Sequence, residues 1–91
     1  MAECLPWLHD REVAVYSGDC IERIPLPYTS LTGPLHQIGL ASMGLALLYN
    51  VELEELTATC RELERYEFLV VYAPLRIPGG TGSPVNPVCI F

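Results

Sequence analysis

The sequence predicts an α/β domain: a small mixed sheet with one or two helices. Three observations lead there. Residues 50–65 carry apolar side chains at steps of three and four, Leu53, Leu56, Cys60 and Leu63, which is the spacing of one helix face. Residues 66–73 and 88–91 are runs of β-branched and aromatic residues, which suit strands. Between such runs, prolines and glycines gather at 25–34 and 78–84 and mark loops.

Taken in order, the first element is a turn or two of helix at 4–11, with Pro6 near its front and Leu5 and Leu8 three apart. Val13, Ala14, Val15 and Tyr16 form a short strand ended by Ser17, Gly18 and Asp19. Residues 25–34 form a loop, because Pro25, Pro27 and Pro34 cannot donate the hydrogen bonds a sheet requires. His36 to Ser42 is expected as a strand, Met43 and Gly44 as a turn, and Leu45 to Tyr49 as a second strand; Gly39 and Gly44 lower the helical propensity of this stretch. Asn50 is the expected N-cap of the following helix. Glu52, Glu54 and Glu55 lie near its start and Arg61 and Arg65 near its end, each with the sign that the helix dipole favours. Tyr66 to Ala73 is expected as a largely buried strand, Gly79 to Pro84 as a tight turn, and Val88 to Phe91 as the last strand.

With 91 residues the chain makes one domain, 1–91. It is 51% hydrophobic and 18% charged, against roughly 25% charged in an average soluble domain. So apolar a chain has few charges to cover its exterior, which points to a face buried against another subunit. The net charge is −6, and the cations are five scattered arginines with no lysine. Without a basic patch, nucleic acid and anionic membrane surfaces are excluded as partners. Residues 38–49, the longest apolar stretch, are too few to cross a hydrocarbon core of roughly 30 Å as a helix. Cys4, Cys20, Cys60 and Cys89 contain no CxxC pair, and the N-terminus has no signal-like apolar region. Reduced thiols and a cytoplasmic location are therefore expected.

Three pieces in order carry a family resemblance. They are Trp7-Leu8-His9-Asp10-Arg11 with Val13-Ala14-Val15; Pro34-Leu35-His36-Gln37-Ile38 running to Asn50-Val51-Glu52-Leu53-Glu54-Glu55-Leu56; and Tyr66-Glu67-Phe68 through Ala73-Pro74-Leu75 to Gly79-Gly80-Thr81-Gly82-Ser83-Pro84-Val85. Together they resemble the C-terminal portion of the cyclase family that includes bacterial kynurenine formamidase, over nearly the whole chain. The resemblance implies a partial swivelling β/β/α-type fold. It also implies metal-dependent hydrolysis of amide, ester or lactone bonds at a zinc or manganese centre, and assembly into dimers or tetramers.

The resemblance further implies an N-terminal metal motif of the type His-x-Gly-Thr-His-x-Asp-x-Pro-x-His, which holds the ion and leaves a position open for water. This sequence contains no such motif, and His9 and His36 are its only histidines. The family's C-terminal histidine matches His36. The glutamate that accompanies it falls at Tyr49, a phenol where a carboxylate is expected. The arginine common after the Gly-Ser-Pro turn is also absent, with Asn86 nearby. His36 is thus the candidate catalytic residue, Tyr49 and Trp7 are candidate substrate-binding residues with Tyr28 a further aromatic, and no residue is assigned to a metal. The expected function is a non-catalytic cyclase-like module that forms homo-oligomers and binds a small molecule at the interface. The alternative is a metal-dependent hydrolase completed by oligomerisation or by an N-terminal segment.

Each of these features also has a purely structural explanation. His36 can be a half-buried histidine bonded to backbone, the cysteines small buried hydrophobes, and the Gly79–Ser83 loop a structural turn rather than an anion cradle, since Pro84 and Pro87 follow it. The aromatics can be packing residues.

Overall fold

A computed structural model describes residues 2–22 and 30–91. Arg23, Tyr28 and residues 25–29 of the expected 25–34 loop lie outside the described residues. The chain forms two compact units, Met1–Leu53 and Glu54–Phe91.

In the first unit a 3₁₀ turn, Ala2–Cys4, leads into helix α1, Leu5–Asp10, with Pro6 in its first turn, where a missing N–H costs nothing. Strand β1, Val15–Ser17, pairs in parallel with β2, Ala46–Leu48, in the register Val15–Ala46, Tyr16–Leu47, Ser17–Leu48. Parallel pairing needs a crossover, and the crossover contains helix α2. This helix is π-helical over Leu35–Leu40 and continues as α-helix over Ala41–Met43.

Helix α2 corrects the expectation of a strand from His36 to Ser42. The cause is packing. Gly39 is buried, and a Cβ there would stand 3.3 Å from Leu45 and 3.4 Å from Leu5. The glycine that weakens the helix locally is what lets it approach these leucines. Of the expected Met43–Gly44 turn, Met43 is the last helical residue and Gly44 makes the turn: it takes φ +73, a left-handed conformation that ends the helix, and the Leu45 N–H donates back to the Gly39 carbonyl at 2.9 Å. Leu5, Leu8, Leu35 and Leu45 form the core of this unit, with Val13, Tyr16, Ile38 and Tyr49 packed against it.

Asn50 is not an N-cap. It sits at φ +54 in a turn where the Val51 N–H bonds the Gly18 carbonyl at 3.0 Å. Helix α3 of the second unit starts later, at Glu54–Glu62, with Glu54 and Glu55 in its first turn and Arg61 in its last. Its end is a Schellman closure: Arg65 N–H donates to Cys60 O at 3.0 Å and Glu64 N–H to Arg61 O at 3.3 Å. Glu64 occupies the left-handed position at φ +49.

Strands β3, Leu69–Val71, and β4, Val88–Ile90, pair antiparallel. The expectation of a buried β3 is corrected, because all three of its residues are exposed. Apolar residues on both faces suit a strand covered on both sides, but among the described residues of this unit β4 alone pairs with it. A backbone turn at 77–80 lies ahead of β4. The Gly80 N–H bonds the Ile77 carbonyl at 3.0 Å across Pro78 and Gly79, and Gly79 supplies φ +73. Ser83 Oγ accepts from the Leu75 N–H at 2.8 Å.

Candidate functional site

Helix α2 begins at Pro34 and places His36 in its first turn. The N–H groups at such an end lack partners within the helix. A buried carboxylate supplies one. Glu22, 5% exposed, accepts the Leu35 N–H on Oε1 at 2.5 Å, and its Oε2 lies 2.5 Å from His36 Nδ1. A buried acid is costly unless its oxygens are bonded, and here both are. Gly33 leaves room for it, since a Cβ there would stand 3.0 Å from Oε2. Gln37 secures the same turn from outside, accepting the Thr32 and Gly33 N–H groups at 3.2 and 3.3 Å.

Tyr49 follows β2 directly. Its ring meets the His36 ring edge-on, with centroids 5.3 Å apart, and meets Tyr16 edge-on at 6.4 Å. Its hydroxyl is buried and, among the described residues, has no hydrogen-bond partner. Burial, reinforced by the negative charge of Glu22, pushes the Tyr49 phenol up to about 12. It is therefore a neutral donor at ordinary pH. A cavity of about 300 Å³ is lined by Glu22, Gly33, His36, Gln37 and Tyr49, with Ile21 and Thr32. That volume is at the lower end of small-molecule sites.

Of the sequence candidates, the structure brings His36 and Tyr49 together and leaves Trp7 apart. Trp7 is 53% exposed on α1, with the Arg11 guanidinium over its ring at 4.2 Å, and it is not among the cavity residues. Tyr28 lies outside the described residues. Glu22 was not legible as a site residue. Fourteen positions and a proline-rich segment separate it from His36, and no spacing rule links the two.

The resemblance to a metal-dependent family can be tested against the donor set. Among the described residues, no three His, Cys, Asp or Glu side chains gather as a metal-binding group. Both Glu22 oxygens are engaged, and Tyr49 stays a phenol. One oriented imidazole remains, and these residues do not fit a divalent ion by themselves. Also among the described residues, no helix is long and apolar enough to cross a membrane.

No family model and no curated protein matches the chain. A solved crystal structure of a novel cyclase does, with a TM-score of 0.77 and 34% identity. The match covers 98% of this chain and 28% of that one, so the chain spans little more than a quarter of that cyclase's length. In fold and in sequence the chain is cyclase-like.

Proposed function

We propose that this cyclase-like chain is a module that binds a small molecule at the Glu22–His36–Tyr49 cavity and assembles as a homo-oligomer, without metal-dependent chemistry of its own. One observation carries the reading: the carboxylate beside His36 is fully used by Leu35 and His36, and a protonated phenol stands where a carboxylate ligand is expected. What is left is a set of hydrogen-bonding groups around a cavity of small-molecule size. Assembly is supported by the second unit. In the β3–β4 register Leu69 pairs with Ile90 and Val71 with Val88. These four side chains share one face, and each is 48% exposed or more. The face carries no charge, so two copies of a chain of net charge −6 can meet there without opposing charges.

The test is metal content and turnover on one preparation. The purified chain, loaded with zinc or manganese and dialysed, is expected to retain well under one ion per chain and not to hydrolyse formanilide or p-nitrophenyl acetate. Formanilide should still shift the His36 and Tyr49 nuclear magnetic resonances. One ion per chain, with hydrolysis lost in His36→Ala, would overturn the reading.

That outcome would favour a second reading, a hydrolase of amide, ester or lactone bonds whose metal set is completed by another chain or an N-terminal segment. The Glu22–His36 contact gives it support, because a carboxylate behind an imidazole is also how metal-ligating and general-base histidines are oriented.

A further inference from the structure

We propose that Glu22 is a positioning residue: it holds His36 in the Nδ1–H tautomer and thereby presents Nε2 as a hydrogen-bond acceptor for a ligand. The inference rests on the reading of the His36 cavity as a binding site, and it assigns that site its polarity.

Donors and acceptors at the contact balance in only one way when the carboxylate is ionised and the imidazole neutral. The Leu35 N–H can only donate, so Glu22 Oε1 accepts. An ionised carboxylate has no donor to offer, so the short contact between Oε2 and Nδ1 requires the ring proton to be on Nδ1. A neutral imidazole carries one such proton, and Nε2 is left with a lone pair. Free imidazole side chains prefer the opposite tautomer, so the protein must impose this one.

The means of imposing it are present. Glu22 is buried and pinned at both oxygens, while the His36 side chain is 54% exposed and lines the cavity. Gly33 is part of the device, because any side chain there would crowd Oε2. A ligand group facing Nε2 must then be an N–H or O–H donor. The buried carboxylate beside the cavity disfavours an anion.

The tautomer can be read from long-range ¹H–¹⁵N spectra of the uniformly labelled chain, without ligand or metal. The pH should be about two units above the ordinary histidine value of roughly 6.5. His9, an exposed residue on α1, is the internal comparison. In the unsubstituted chain His36 should show a protonated Nδ1 and a bare Nε2. In Glu22→Gln the amide oxygen can keep the Leu35 N–H while the amide NH₂ faces Nδ1, so the proton should move to Nε2 and His9 should not change.

A proton on Nε2 of the unsubstituted chain overturns the proposal, as does an unchanged His36 tautomer in Glu22→Gln. If that variant does not fold, the Nδ1–H proton itself decides: a strongly downfield resonance for His36, without a counterpart for His9, is expected, and its absence is fatal. Because these spectra involve no ligand, a correct tautomer with no formanilide response would leave this inference standing and sink the binding function alone.

Discussion

The His36 imidazole lies edge-on to the Tyr49 ring, at 5.3 Å between centroids and 67° between planes, and among the described residues the buried Tyr49 hydroxyl has no partner. A buried hydroxyl without a partner costs about 1–3 kcal/mol. A protein gains nothing in stability by keeping it, which makes the pair a place where stability and function pull apart.

Tyr49→Phe should therefore raise the melting temperature or leave it unchanged, while the formanilide response of His36 weakens. Thermal denaturation and the same resonances measure both. A clear loss of stability would mean that the hydroxyl has a partner in solution and a purely structural role.

The raised Tyr49 phenol also predicts a pH dependence. Its folded value, about 12, lies above the ordinary 10.0. The folded state therefore holds this proton more tightly than the unfolded chain. The resulting stabilisation is complete below the unfolded value and is lost as pH rises through the folded one. Unfolding by urea at increasing alkaline pH should show a decline across that window, and the decline should be smaller in Tyr49→Phe. Burial also raises the Tyr16 phenol, so tyrosinate absorbance should show a late-titrating component that shrinks, by the Tyr49 share, in the variant.

The core of the first unit makes a packing prediction. Leu35 is 0% exposed and Gly39 abuts Leu5 and Leu45. Leu35→Ala should cost about 2–5 kcal/mol by cavity formation. Gly39→Val should cost about 1–3 kcal/mol by overpacking, despite the poor helix propensity of glycine. Urea titration followed by far-ultraviolet circular dichroism reads both. A stabilising Gly39→Val would contradict the close approach of α2 to α1.

At the end of α3, Glu64 holds φ +49 in the position a Schellman closure usually gives to glycine. Glu64→Gly should relieve part of the roughly 1–2 kcal/mol that a left-handed non-glycine residue costs, offset by the entropy of glycine in the unfolded chain. A net gain of up to about 1 kcal/mol in denaturation is expected. A loss would show that the Glu64 side chain contributes more than its backbone strain costs.

The apolar face of β3 and β4 predicts assembly. Light scattering should give a mass above that of one chain, and Leu69→Lys should lower it while the His36 and Tyr49 resonances stay in place. A folded monomer of the unsubstituted chain at micromolar concentration would remove the oligomer from the proposed function.

Local chemistry determined a good part of this protein. Leu5 and Leu8, three apart on either side of Pro6, specify α1; the Leu56–Cys60 face and the charges of Glu54, Glu55 and Arg61 specify α3; Val15 and Tyr16 specify β1, and Val88 and Ile90 specify β4. The family resemblance likewise singled out His36 and Tyr49, which do meet. Long-range packing decided the rest. Residues 35–43 carry an apolar pattern that serves a strand or a helix equally, and the fit of Gly39 against Leu5 and Leu45 selects the helix. The burial of β3 depends on what covers it, which its own residues do not encode. Glu22 becomes a site residue only because the fold sets its carboxylate under the first turn of α2, where the Leu35 N–H and the His36 ring need an acceptor. Such a match of donors to acceptors is made in space, between positions that the order of residues along the chain does not connect.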